Sequence, residues 1–254
     1  MTYCVGFLLE DGLVFASDSR TNAGVDYIST YSKMHVFQPS PDRLFVLMAA
    51  GNLGTTQAVL NRIRRDLDRG PAAVVDPEAA PDLRTARYLF EAADYIGRIS
   101  VAVQNTFAES LRQVGATGEA SFILGGQITG QPHGLQMIYP QGNSVIATID
   151  TPYLQIGESK YGKPPLDHIG HTKLSLEDAA RLCFVSQVIT RRSNLTVGPP
   201  FEIAMMPRDQ LRISRRLKYA KGAPEITRVV EIWSRTMQEG LARLPRFAWE
   251  EDPL

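Results

Sequence analysis

The stretch Thr2-Tyr3-Cys4-Val5-Gly6-Phe7-Leu8-Leu9, the turn Asp11-Gly12 and the return Leu13-Val14-Phe15-Ala16-Ser17-Asp18 decide the reading of this chain. Two runs of apolar and β-branched or aromatic residues flank Asp-Gly, which is a hairpin signal. The pairing brings the end of the second run, Asp18, beside the start of the first, Thr2. Once Met1 is removed, Thr2 carries a hydroxyl and a free α-amine on one residue. An α-amine with an unperturbed pKa near ~8 can serve as general base close to neutrality. Threonine activated by its own amine is a recognised nucleophile.

Outward from that hairpin, a polar loop runs to about Tyr31. Lys33-Met34-His35-Val36-Phe37-Gln38 alternates as a third strand, Pro39-Ser40-Pro41-Asp42 makes a turn, and Arg43 to Ala49 is a fourth strand. The first fifty residues therefore predict a four-stranded antiparallel meander. Gly51-Asn52-Leu53-Gly54 opens a helix over about Thr55 to Arg69, with Val59, Leu60, Ile63 and Leu67 on one face. Gly70 to Asp82 is an exposed connection, and a long helix follows from about Thr85 to Val114.

Strands are predicted at Ala120–Gln127, Gly134–Tyr139, Ser144–Thr148 and Tyr153–Gly157. A loop follows over Glu158–His171, with room for a single helical turn. Ser175 with Asp178 reads as a helix start close to a capping box. Phe201–Met206 and Leu211–Leu217 make the last strand pair, Pro224 to Leu244 the closing helix, and the tail beyond Pro245 frays. Helix pairs set between antiparallel strands predict a layered α+β domain, two sheets face to face with helices outside. Nothing in the 254 residues marks a linker, so a single domain over 1–254 is expected.

The charges balance at 27 basic and 27 acidic residues, so no global field points to nucleic acid or an anionic membrane. The basic run Arg212, Arg215, Arg216, Lys218 and Lys221 fits the solvent face of a strand or a subunit interface. The two cysteines, Cys4 and Cys183, form neither a metal spacing nor a disulfide framework, and they read as small buried hydrophobes in a reducing cytoplasm. No signal-peptide pattern and no bilayer-spanning apolar run occur. The four histidines share no ligating pattern beyond His168 and His171, and no metal is expected. No Gly-x-x-x-x-Gly-Lys-Ser/Thr loop is present, so energy-dependent unfolding would come from a separate protein.

An N-terminal threonine needs a nearby cation to disfavour its ammonium form, a buried carboxylate to fix that cation, and backbone N–H donors for the oxyanion. Lys33 at the start of the third strand, Asp18 at the end of the second, and Gly51 at the strand-to-helix transition are candidates for these needs. With Thr2 they form the candidate catalytic set.

At these residues the chain resembles a proteasome β subunit and its bacterial relative HslV. Within that group it is most similar to the Anbu family. The carriers are Met1-Thr2-Tyr3-Cys4-Val5-Gly6, the stretch Phe15 to Asp26, Ala49-Ala50-Gly51 before a helix, and Gly157-Glu158-Ser159-Lys160-Tyr161-Gly162-Lys163. The resemblance covers essentially the whole chain and is strongest from Thr2 to Gly51. It implies a four-layer αββα sandwich of the N-terminal nucleophile hydrolase class. It also implies peptide-bond hydrolysis by Thr2 without a cofactor, a peptide or protein substrate, and homo-oligomeric rings or open spirals. Arg20 and Asn22 correspond to loop positions whose backbone holds substrate as an added strand. Ala49 lies near the pocket for the residue before the scissile bond.

Three departures stand out. Lys33 comes one residue early in the spacing from Thr2. The family's distal serine corresponds either to Glu158 or to a displaced Ser159. Ser193-Asn194-Leu195-Thr196 stands where an Asp-x-x-Ser is expected, so the carboxylate is missing at 193. That last departure motivates two alternatives: a proteasome-like scaffold with little or no proteolysis, or a small-peptide amidase or transpeptidase.

Overall fold

A computed structural model describes residues 2–22, 28–68 and 80–250. Met1, most of the 70–82 connection and residues 251–254 lie outside the described residues. In chain order the strands are β1 (Tyr3–Leu9), β2 (Gly12–Asp18), β3 (Arg20–Asn22), β4 (Ile28–Thr30), β5 (Met34–Ser40) and β6 (Arg43–Gly51), followed by β7 (Ala120–Ile128), β8 (Gly134–Ile138), β9 (Ser144–Ile146), β10 (Tyr153–Gly157), β11 (Phe201–Pro207) and β12 (Arg215–Tyr219). The helices are α1 (Leu53–Asp68), α2 (Leu89–Gln113), α3 (Lys163–Ile169), α4 (Leu176–Ser193) and α5 (Pro224–Ala242).

The expected hairpin forms, with Cys4 opposite Ser17 and Leu9 opposite Gly12. The meander does not. One five-stranded sheet runs β10-β1-β2-β11-β12, and the other runs β5-β6-β7-β8-β9. The first fifty residues are thus two hairpins in two different sheets. The segment expected as loop contains a small two-stranded ribbon, β3 with β4. The reason is burial on both faces of β2. Its even side chains Val14 and Ala16 pack towards α4, and its odd side chains Leu13 and Phe15 pack towards the second sheet. A strand buried on both faces gains most with ladder partners on both edges, and β11 supplies the second edge.

Three apolar clusters follow. One lies between the two sheets and joins Cys4, Leu13 and Phe15 to Val46, Met48, Ile123 and Leu135. A second packs β1, β2 and β11 against α3, α4 and the start of α5 through Tyr3, Phe7, Leu166, Phe184 and Ile226. The third packs β6 and β7 against α1 and α2 through Val59, Ile63, Ala92, Ile96 and Phe122. Both cysteines are buried, as their placement on core faces predicted.

Smaller differences have local causes. The second helix begins at Leu89, with Glu91 Oε2 accepting the Arg87 and Tyr88 N–H groups at 2.6 and 3.2 Å. The single turn expected after Glu158 is α3, seven residues long with Pro164 in its first turn. The last strand starts at Arg215, because Asp209 and Leu211 take positive φ in the preceding turn. Ser175 caps α4 by accepting the Asp178 N–H at 3.0 Å. Among the described residues no helix is long and apolar enough to cross a membrane.

Phe15 is fully buried in the inter-sheet cluster, with its ring packed against Gly125. Phe15→Ala is expected to lower unfolding free energy by about 3–5 kcal/mol, read as a shifted denaturant midpoint at unchanged slope.

Candidate active site

Asp18 is the hub. Its Oδ1 accepts the Tyr3 N–H at 2.9 Å, and its Oδ2 accepts the Gly198 N–H at 3.1 Å. Lys33 Nζ donates to the same Oδ1 in a short ion pair and to the Arg20 carbonyl at 2.7 Å. Both side chains are buried, Asp18 completely. Burial pushes the Asp18 carboxyl above the usual carboxylate range, opposed by the Lys33 ammonium and the two backbone donors.

Thr2 is held by its backbone. Glu158 N–H donates to the Thr2 carbonyl at 2.6 Å, and Tyr3, the next residue, pairs with Gly157 across the β1–β10 ladder. Gly157 takes φ +84°, and a Cβ there would stand 2.1 Å from the Thr2 oxygen, so only glycine fits. Thr2 itself is half-buried.

Gly51 closes the set. It stands opposite Ala120, and it is the Asn52 N–H that donates to Glu119 O, at 2.9 Å. Antiparallel alternation therefore turns the Gly51 N–H away from β7 and towards the end of β5. There the last β5–β6 bond is Ala49 N–H to Lys33 O at 3.1 Å. Gly51 has φ +115°, and an added Cβ would meet Glu119 O at 2.3 Å. Asn52 then caps α1 by accepting the Thr55 N–H at 3.1 Å.

Thr2, Lys33, Ala49 and Gly51 line one cleft of about 470 Å³, together with Thr21, Tyr31 and one face of α1. Arg20 and Asn22 enter as β3 backbone: Arg20 pairs with Thr30 and Asn22 with Ile28, along the strand whose Thr21 faces the cleft. Ser159 is not brought in. It lines a separate hollow with Tyr153, Lys163 and Asp167. The cause is the left-handed turn at Gly157, after which the backbone of Glu158, not that of Ser159, faces Thr2.

No protein-family model matches the chain, and no curated protein matches it. Solved structures do. Anbu from Yersinia bercovieri, described as an ancestral beta-subunit, is 38% identical with a TM-score of 0.85, over 97% of this chain and 99% of that one. The chain belongs to the Anbu family. A Gly-1 mutant of Anbu from Hyphomicrobium sp. strain MC1 matches at 37% identity and TM-score 0.86, over 97% and 99% of the two chains. Anbu from Pseudomonas aeruginosa, solved as a helical assembly of the complex, matches at 38% identity and TM-score 0.84, over 99% and 100%.

In this Anbu chain Glu158, the alternative that the sequence offered to Ser159, joins the site, and so do Glu202 and His35, which the sequence did not single out for it. Glu158 is buried, and its carboxylate accepts Asn194 Nδ2 and the Lys160 N–H, both at 2.9 Å. Asn194 Oδ1 in turn accepts from Thr196 N and Oγ1 at 3.0 and 2.6 Å. A carboxylate thus sits beside the segment that lacks one at Ser193. Glu202, a lone acid in the apolar run Phe201 to Met206, is buried and accepts Ser19 Oγ and Arg216 Nη2, each at 3.0 Å. An acid inside an otherwise apolar strand was the signal for it. Arg216 and Lys218 of the basic run both reach this carboxylate.

His35 lines the cleft two residues from Lys33 on the same strand face, a spacing that could have flagged it. Burial, then the charge of Arg64 on α1, holds its imidazolium down to about 4. Glu202 on β11 opposes this and Arg216 on β12 adds to it. The folded value lies below the ordinary ~6.5, so the stabilising difference is complete above ~6.5 and lost as pH falls to about 4. Relative to His35→Gln, the unmodified chain should lose up to about 3 kcal/mol of unfolding free energy across that window. Parallel denaturant titrations at a series of pH values measure the difference.

Proposed function

We propose that this chain is a threonine-type amidohydrolase subunit, one domain with the αββα sandwich of N-terminal nucleophile hydrolases. The convergence of Thr2, the buried Lys33–Asp18 pair and the outward Gly51 N–H on one cleft carries this reading. The three apolar clusters, one between two sheets and one under each helical layer, support the sandwich.

After loss of Met1, Thr2 Oγ attacks an amide carbonyl. The proton passes to the Thr2 amine, directly or through water. The Lys33 charge favours the neutral amine, and Asp18 keeps Lys33 in place. The Gly51 N–H donates to the tetrahedral oxyanion. The amine leaving group takes the proton, an acyl ester remains on Thr2, and water releases it. Peptide lies along β3 as an added strand, with Arg20 and Asn22 backbone as partners. No metal or organic cofactor enters this scheme.

The helical assembly of the Pseudomonas aeruginosa relative supports self-association of this chain as well. Ser193, in place of a carboxylate, favours a second reading: an assembling scaffold in which hydrolysis is weak or confined to small peptides.

The test is intact mass before and after a peptide epoxyketone, which closes a ring on a hydroxyl and its adjacent free amine. The first reading expects a chain lacking Met1 that gains one adduct, abolished by Thr2→Ala. Lys33→Ala and Asp18→Asn should slow the reaction by about 10²–10⁴-fold. The acid limb of the rate should lie above the ordinary ~4 of an aspartate, because burial raises Asp18. An unmasked Thr2 that takes no adduct from a panel of such reagents sinks the hydrolase and leaves the scaffold.

A further inference from the structure

The Thr2 cleft carries a charge that the hydrolytic scheme does not use. Leu53, Thr56, Gln57, Leu60, Asn61 and Arg64 line one wall, the spacing of a single face of α1. Lys33 is already committed to Asp18 and to the Arg20 carbonyl. Arg64 is committed to little: its one hydrogen bond among the described residues is to Asn61 Oδ1, at 3.4 Å. Its neighbour Arg65 instead pairs with Asp66 at 2.8 Å. Among the described residues no carboxylate lines the cleft, and none lies within ion-pair distance of Arg64. His35 on β5 lines the same cleft, and the nearby Arg64 charge disfavours its protonation. One unneutralised guanidinium, with the side-chain amides of Gln57 and Asn61 on the same helix face, thus lines the cleft that Thr2 and Gly51 also line.

We infer that the cleft selects peptides carrying an acidic side chain on the acyl side of the attacked bond, with Arg64 as the specificity-determining residue. This rests on the hydrolase reading for its orientation. From Leu53 to Arg64 the helix advances about 16 Å, and helical side chains lean back towards the N-terminus, which brings the guanidinium several ångströms nearer to Gly51. In an extended peptide, alternate residues share a face. The acidic group therefore belongs to the acyl residue itself or to the residue two before it, both of which face the same wall. A planar guanidinium offers a carboxylate two parallel donors, and Gln57 and Asn61 can donate to the same oxygens. A lysine side chain in the same place would meet Arg64 as a like charge.

The test reads binding separately from chemistry. Full-length Thr2→Ala protein is titrated with dye-labelled, C-terminally amidated peptides bearing Glu, Leu or Lys at the acyl residue or two residues before it, and anisotropy is recorded. The Glu peptide at one of those positions should bind roughly tenfold or more tighter than its Lys counterpart, a gap that shrinks with salt. Arg64→Gln should remove the gap, and Arg64→Glu should reverse it. Arg64 is exposed on α1, so both variants keep the core intact. Equal affinities, tighter Lys or Leu peptides, no binding by any peptide, or an order unchanged in Arg64→Glu would each overturn the inference. A neutral peptide with a free C-terminal carboxylate that binds as tightly as the Glu peptide would assign the anion to a chain end and overturn it too. Adduct formation by the unmodified chain judges the Thr2 chemistry independently of all these outcomes.

Discussion

The buried ion pair between Lys33 and Asp18 is the constraint on which the rest depends. Removing two charges from water costs several kcal/mol each, and their attraction offsets this only with good geometry and further hydrogen bonds. Here the further bonds come from separate parts of the chain. Asp18 takes N–H groups from Tyr3 on β1 and Gly198 before β11, and Lys33 gives its second bond to the Arg20 carbonyl on β3. The pair therefore measures the register of several segments at once. A slip of β1 by one residue would leave a buried carboxylate short of a donor, at a cost that backbone pairing alone would not impose. Stability and site geometry have the same cause.

A second layer of polar contacts surrounds that pair and is built on the same plan. Glu158 is buried yet satisfied by Asn194 and Lys160, and Glu202 by Ser19 and Arg216. Each carboxylate ties a loop or an edge strand to the strands beside Thr2. In the Anbu chain these carboxylates stand with Asp18 beside the apolar clusters beneath the helices. The cleft next to them is walled by strand ends and by α1.

Much of this was legible in the sequence, because it is local. The hairpin from Thr2 to Asp18 is written in Asp11-Gly12 and its flanking apolar runs. Lys33 and Gly51 stand at strand termini that alternation and the glycine mark. The long helices follow from apolar spacing, and Ser175 from its acid three residues on. What was not legible is non-local or angular. Nothing within the first fifty residues reveals that β2 takes β11 as a neighbour, since that pairing spans most of the chain and is settled by the burial of both faces. The choice between Glu158 and Ser159 turns on a backbone angle at Gly157, which periodicity does not carry. The lining of the cleft by Gln57, Asn61 and Arg64 depends on which α1 face docks on β6 and its neighbours, and so appears only once the helix is packed on the sheet.

The hydrogen bond from the Gly198 N–H to the Asp18 carboxylate spans 180 residues, and β1 waits for β10 to fill its outer edge. Tyr3, Asp18, Lys33 and all the lining of the cleft lie between Thr2 and Arg64, whereas Glu158 and Gly198 follow long afterwards. Until they are made, β1 has its hairpin mate β2 but not its outer neighbour β10, and bringing distant partners together is the slow part of folding. The side chains of the cleft are therefore all present well before the backbone N–H groups that hold Thr2 and Asp18 in their final places.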